Sequence, residues 1–139
     1  MNEPLLLNLK NDLSELSHLA AAVESFGEQR GLSTKTIMHL NLALDELVTN
    51  VINYAYPDDA EHWLSVSLWT EAGSLRARVV DDGIPYNPLQ APEPDLDADL
   101  EERRIGGLGV HFVRQMMDDI RYVRAGNQNQ LTLTKHMTP

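Results

Sequence analysis

Cysteine is absent from this chain, and its absence removes disulfides, thiol nucleophiles and cysteine-liganded zinc from consideration. Long apolar runs are missing as well. No segment approaches the roughly 18 consecutive apolar residues that a spanning helix needs, so no membrane insertion is expected. Positive charge is scarce, with 11 Lys and Arg against 21 Asp and Glu and a formal net charge of -10. Duplex nucleic acid is held by clustered Lys and Arg on its phosphates, so direct nucleic-acid binding is not expected either. A protein partner or a metal-chelated anion suits this charge balance better. The apolar stretch Leu5 to Leu9 follows Glu3 and has neither a basic start nor a small-residue cleavage site. It does not read as a signal peptide, and a cytoplasmic location is the expectation.

What is present suffices for one domain. A chain of 139 residues with 42% hydrophobic content can bury a real core, and we expect a single domain over residues 1–139. Leu5 to Leu9 has the length and flanks of a strand. From Asn11 or Asp12, either one a helix cap, Leu13, Leu16, Leu19, Ala20, Val23 and Phe26 recur at helical spacing as far as Gly31. Ser33 or Thr34 caps a second helix that turns Ile37, Leu40, Leu44, Leu47 and Val51 inward and is expected to end at Tyr56, before Pro57. Trp63 to Thr70 and Leu75 to Val79 alternate with period two around an Ala72-Gly73 turn and predict a hairpin.

Residues 84–105 then change character, with four prolines, six acids between Glu93 and Glu102, and Arg103-Arg104. Such a stretch adds little core and reads as a long loop, the natural place for a lid. Val110 to Met117 predicts a third helix, and Ile120 to Val123 with Gln130 to Thr134 a closing hairpin around Ala125-Gly126-Asn127. The order of elements is not the strict strand-helix alternation of a parallel doubly wound sheet. It fits a two-layer α/β sandwich, a mostly antiparallel sheet with helices on one face.

Three short features could carry chemistry. Glu46 and Asn50 lie four apart and share one face of the second helix, an arrangement equally at home on a solvated surface. Asp81-Asp82-Gly83 closes a strand. It is either a plain turn or a carboxylate that accepts from a planar amino group, with the glycine leaving room for a ring. Gly106, Gly107 and Gly109 stand at a helix start, either as a hinge or as backbone donors for an anion. Asn50 offers a neutral oxygen suited to Mg²⁺, and Glu46 could polarise a hydroxyl that attacks a γ-phosphate. The five histidines are scattered and none has a second His at metal-ligand spacing. Trp63 and Trp69, on one face of a strand, read as packing or interface residues.

The ordered set Glu46-x-x-x-Asn50, Asp81-x-Gly83 and Gly107-x-Gly109 resembles the N, G1 and G2 boxes of the ATPase superfamily shared by gyrase and the histidine kinases, the GHKL group. Within it, Asp45 to Asn50, Tyr54-Ala55-Tyr56, Val80 to Pro88 and Gly106 to Gly109 running on to Met117-Asp118 look like the anti-sigma factor serine kinases of the RsbW type. The resemblance implies a Bergerat, or histidine-kinase-like, ATPase fold with an ATP lid at about 84–106. It implies Glu46 as general base, Asn50 as Mg²⁺ ligand, Asp81 as adenine contact, and Gly83, Gly107 and Gly109 as positions where backbone closely approaches the nucleotide. Pro85 stands where many members of the superfamily have a second glycine. Ile105 and Gly106 replace a basic residue and a serine found in some relatives, so phosphate neutralisation is expected either to fall to Arg104 or to be weaker. The implied activity is ATP-dependent phosphorylation of a STAS-domain anti-sigma factor antagonist, alternating with sequestration of a sigma factor or similar target. A catalytically silent, nucleotide-gated adaptor is the alternative. The edge at Leu5 to Leu9 makes a homodimer compatible with the pattern.

Overall fold

The structure, a computed structural model, describes residues 3–90 and 108–137. The chain opens with β1 (Leu5–Lys10), passes through a single 3₁₀ turn (Leu13–Glu15), and enters α1 (Leu16–Gln29) and α2 (Thr34–Tyr54). The hairpin of β2 (Trp63–Glu71) and β3 (Ser74–Asp81) follows, then a second 3₁₀ turn (Pro88–Gln90), α3 (Leu108–Met116), β4 (Asp119–Ala125) and β5 (Gln128–His136). The strands form one five-stranded sheet in the order β1-β2-β3-β5-β4. Every neighbouring pair is antiparallel.

Period two in the sequence becomes a two-faced sheet. Leu9, Leu64, Val66, Leu68, Leu75, Ala77, Val79, Leu131 and Leu133 are buried against the helices. α1 adds Leu19, Val23 and Phe26, and α2 adds Leu40, Leu44, Leu47 and Val48. The opposite face of the sheet is open. It carries Trp63, crossed by the Lys10 ammonium 5.6 Å from its ring centre, and Trp69, crossed by Arg78 at 5.5 Å. The expected two-layer sandwich is therefore observed, and the lid expected over 84–106 lies outside the described residues beyond position 90.

Element boundaries differ from the periodicity at several ends, and at two of them the reason is local. Asp12 does cap, its carboxylate accepting from the Ser14 N–H at 2.9 Å, but the first turn is 3₁₀ and the α-helix proper begins at Leu16. α2 ends at Tyr54, two residues earlier than expected. Pro57 has no N–H to give the Asn53 carbonyl, and the Ala55 carbonyl instead accepts from Ile84 N–H at 2.8 Å. α3 is already helical at Leu108, two residues before the expected Val110. The β2–β3 turn uses two left-handed residues, Ala72 at φ 50° and Gly73 at φ 79°, the backbone twist that two-residue hairpins require.

Candidate functional site

Four elements converge at one end of the sheet. α2 brings Glu46 and Asn50, β3 ends in Asp81, β5 carries Asn129 one position after its start at Gln128, and α3 delivers Gly109. Helical spacing places Asn50 one turn below Glu46, and its Nδ2 donates to Glu46 Oε1 at 3.3 Å. Asn50 is buried and Glu46 half-buried, because this face of α2 looks across the helix layer rather than into solvent. Asn50 Oδ1 accepts nothing among the described residues, which leaves a neutral oxygen on a buried residue, of the kind a hard cation takes.

Asp81 is only 4% exposed. Its Oδ1 accepts from Gly83 N–H and from Asn129 Nδ2, both at 2.9 Å. Burial raises its carboxyl above the ordinary carboxylate range, and the Asp82 charge adds to this. The two hydrogen bonds and the Arg124 guanidinium pull the other way. Oδ2 takes no hydrogen bond among the described residues. Asp81 belongs to the wall of a small pocket lined also by Leu47, Val51, Val79, Tyr86, Tyr122 and Leu131. Its free volume is about 20 Å³, room for little more than a water, so a flat base enters only as the lining side chains give way. One buried carboxylate in an apolar wall recognises a planar group by its amino edge.

Tyr86 ties the two corners together. Its ring lines that pocket and lies 6.2 Å from the Tyr54 ring. Its phenol is raised first by burial, then by Tyr54 and by the charge of Glu46. Glu46 also borders a groove between α2 and α3 whose other walls are Leu42, Asp45, Phe112 and Met116. The carboxylate thus faces an open, mostly apolar groove and stands near enough to Tyr86 for its charge to act on that phenol.

The glycines do more packing than the sequence implied. A β-carbon on Gly83 would stand 2.3 Å from the Ala55 carbonyl oxygen, so the space opened by this glycine is filled by the end of α2 and not left for a ring. A β-carbon on Gly109 would stand 2.0 Å from the Glu46 carboxyl carbon, so this glycine admits the acid itself. Of the other expected site residues, Arg104 and Gly107 lie outside the described residues. Among the described residues no three His, Cys, Asp or Glu side chains gather around a point, and any metal held at Asn50 would draw its remaining oxygens from substrate and water.

Periodicity had left Asn129, Tyr122 and Arg124 in a plain hairpin. In the structure Asn129 is buried and Arg124 Nη1 donates both to Asn129 Oδ1 at 3.2 Å and to the Gly83 carbonyl at 2.8 Å. Asn129 fell just before the strand expected from Gln130 to Thr134, where an asparagine reads as part of the turn, so the sequence held no signal for it.

Residues 9–135 match the family described as histidine kinase-like ATPase domain. Among curated proteins the chain is similar to the serine/threonine-protein kinase BtrW of Bordetella bronchiseptica, 27% identical over 140 residues, covering 96% of this chain and 99% of that one. It is also similar to the anti-sigma F factor of Geobacillus stearothermophilus, 24% identical over 104 residues, covering 75% and 71%. Among solved structures, that of the RsbU and RsbW domains of a Mycobacterium tuberculosis protein superposes with a TM-score of 0.70 at 18% identity. That match covers 96% of this chain and 32% of the other, so the chain spans about a third of the solved protein.

Proposed function

The chain belongs to the histidine kinase-like ATPase domain family, and from that membership we propose that it is an ATP-dependent protein serine kinase of the anti-sigma factor class. The observation that carries the reading is the pairing of two differently prepared carboxylates around one site. Asp81 is buried, with one oxygen at an apolar pocket, and Glu46 is half-buried, hydrogen-bonded to Asn50 and open to a groove. The first suits recognition of the adenine amino edge, and the second suits proton transfer.

In this reading Asp81 Oδ2 accepts from the adenine amino group while Val51, Val79, Tyr86 and Leu131 enclose the ring. The backbone of Gly109, in the first turn of α3, offers an N–H that the helix itself does not use, and resemblance adds Gly107 and Arg104 on the phosphates. Asn50 Oδ1 is the atom that would hold Mg²⁺, and the ion would neutralise the charge that develops on the phosphates. A serine hydroxyl of the partner approaches Glu46 from the groove beside Phe112 and Leu42. Its oxygen bonds to the γ-phosphorus as the bond from that phosphorus to the β,γ-bridging oxygen breaks. ADP leaves with the electron pair, and Glu46 takes the serine proton.

The acceptor is a STAS-domain antagonist. When that partner is not engaged, the chain sequesters a sigma factor, the role that the name anti-sigma F factor gives to the Geobacillus relative. Such partners place the chain in the cytoplasm, and the free edge of β1 is where a homodimer would pair. Incubation with labelled ATP, Mg²⁺ and the cognate antagonist tests the activity: transfer of label to a serine of the antagonist is expected, and its complete absence sinks the kinase reading.

A further inference from the structure

Asn129 uses every hydrogen-bonding position it has. Its Nδ2 donates to Asp81 Oδ1 at 2.9 Å and to the Ile84 carbonyl at 2.8 Å. Its Oδ1 accepts from Tyr86 N–H at 3.2 Å, from Arg124 Nη1 at 3.2 Å and from the Tyr122 hydroxyl. The Tyr86 amide and the Arg124 guanidinium have hydrogens to give and no lone pair to offer. The end of the Asn129 amide that faces them must therefore be the oxygen, and the end that faces Asp81 must be the NH₂. The side chain cannot turn over without setting donor against donor at several contacts in a buried place.

This orientation passes to Asp81. Its Oδ1 meets two hydrogens, from Asn129 Nδ2 and Gly83 N, and so has no room for a third hydrogen of its own. The rotation of the carboxyl is held, and Oδ2 alone addresses the pocket.

We propose that Asn129 is a positioning residue that sets the base selectivity of the nucleotide site, holding Asp81 so that a lone acceptor meets the purine at C6 and selects an amino group there over a carbonyl. This inference rests on the reading of the pocket as the adenine site. An amino group at C6 donates to Oδ2, whereas a carbonyl would set two acceptors against each other in an apolar wall, a mismatch worth at least about tenfold in affinity. The same logic makes the amide variant informative. In Asp81→Asn the two donors on Oδ1 would hold the new oxygen in place and turn the NH₂ toward the pocket, where it favours a carbonyl at C6.

The test compares dissociation constants of ATP and inosine triphosphate, with Mg²⁺, on the full chain. Inosine triphosphate differs from ATP by a carbonyl at C6 and a proton at N1. Wild type should prefer ATP by at least about tenfold, and Asp81→Asn should invert the preference. Asn129→Ala should bring the ratio of the two constants toward unity, and Asp81→Asn with Asn129→Ala should show no preference. An asparagine that merely holds the fold would weaken both nucleotides alike and leave the ratio as it was. Should Asn129→Ala fail to fold, Asn129→Asp keeps an oxygen for the Tyr86, Tyr122 and Arg124 donors, puts a second oxygen in place of the NH₂ that faces Asp81 Oδ1, and should narrow the same ratio. A wild-type ratio retained in Asn129→Ala, or in Asn129→Asp when the former does not fold, overturns the proposal while leaving the ATP site standing. A wild-type chain that binds neither nucleotide overturns both.

Discussion

Gly109 and Glu46 are in such close contact that a β-carbon on the glycine would overlap the carboxyl group, at 2.0 Å from both its carbon and Oε1. The first turn of α3 is therefore seated directly on the acid proposed to take the proton. Contact between α2 and α3 and the placement of Glu46 are the same event. Gly109→Ala should push the carboxylate away or lift α3. Phosphoryl transfer is expected to fall by about 100-fold, the scale of a misplacement near 1 Å at a reacting group, with a stability loss of about 1–3 kcal/mol from overpacking. Single-turnover transfer and a thermal melt on the same sample check both.

Glu46→Gln keeps the size of the side chain and still lets Asn50 donate to an oxygen at that position. It removes only the proton-accepting charge. Transfer to the partner serine should drop by about 10²–10⁴-fold, while ATP affinity stays within a few-fold of wild type. Retained transfer would take Glu46 out of the role of base, and lost ATP binding would show that the residue shapes the pocket instead.

At Gly83 the obstacle is backbone on one side and the short Ala55 side chain on the other, at 2.3 Å and 2.7 Å from a β-carbon. Neither can swing aside. Gly83→Ala should lower stability by about 1–3 kcal/mol and break the Ile84 to Ala55 hydrogen bond, which urea unfolding and amide exchange at Ile84 would register.

The raised carboxyl of Asp81 links function to pH. A carboxyl whose folded pKa lies above its unfolded one binds more protons folded than unfolded in the window between the two values. Its stabilising contribution is complete below the unfolded value, near 4 for an ordinary Asp, and is lost as pH rises through the raised folded value. Asp81→Asn should therefore gain stability relative to wild type as pH increases through that window and show no such gain below it. ATP binding by wild type should move the opposite way, strengthening as Oδ2 ionises. Melts and ATP titrations across acid to neutral pH, on both proteins, check the two slopes.

Ala72 holds a left-handed backbone at φ 50° in the β2–β3 turn. For a residue with a β-carbon this conformation costs about 1–2 kcal/mol. Ala72→Gly should recover part of that, about 0.5–1 kcal/mol after the added freedom of the unfolded chain is subtracted. A rise in the urea midpoint with an unchanged slope is the expected result. An unchanged or lower midpoint would mean that the turn absorbs the strain elsewhere.

Much of this was written locally. Alternation in Leu64, Val66 and Leu68 and in Leu75, Ala77 and Val79 determined two strands and their inward faces, since a side chain's direction on a strand depends only on its parity. The three-and-four spacing of Leu40, Leu44, Leu47 and Val51 determined the buried stripe of α2, and with it the shared face of Glu46 and Asn50. The order of the three short boxes was enough to show the family.

Other facts had no local record. Asn129 is 48 residues from the Asp81 it holds, and nothing in a strand's period marks one polar residue at its start as a hub. Gly83 and Gly109 looked like openings for a ligand because a glycine in a sequence shows only that a side chain is missing. Which atom fills the vacated space is decided when distant segments meet: the Ala55 carbonyl in one case, the Glu46 carboxylate in the other. The residue types that chemistry needs were thus set by the chain itself, while their partners and orientations came from packing, because a hydrogen bond or a close contact belongs to two segments and neither contains it alone.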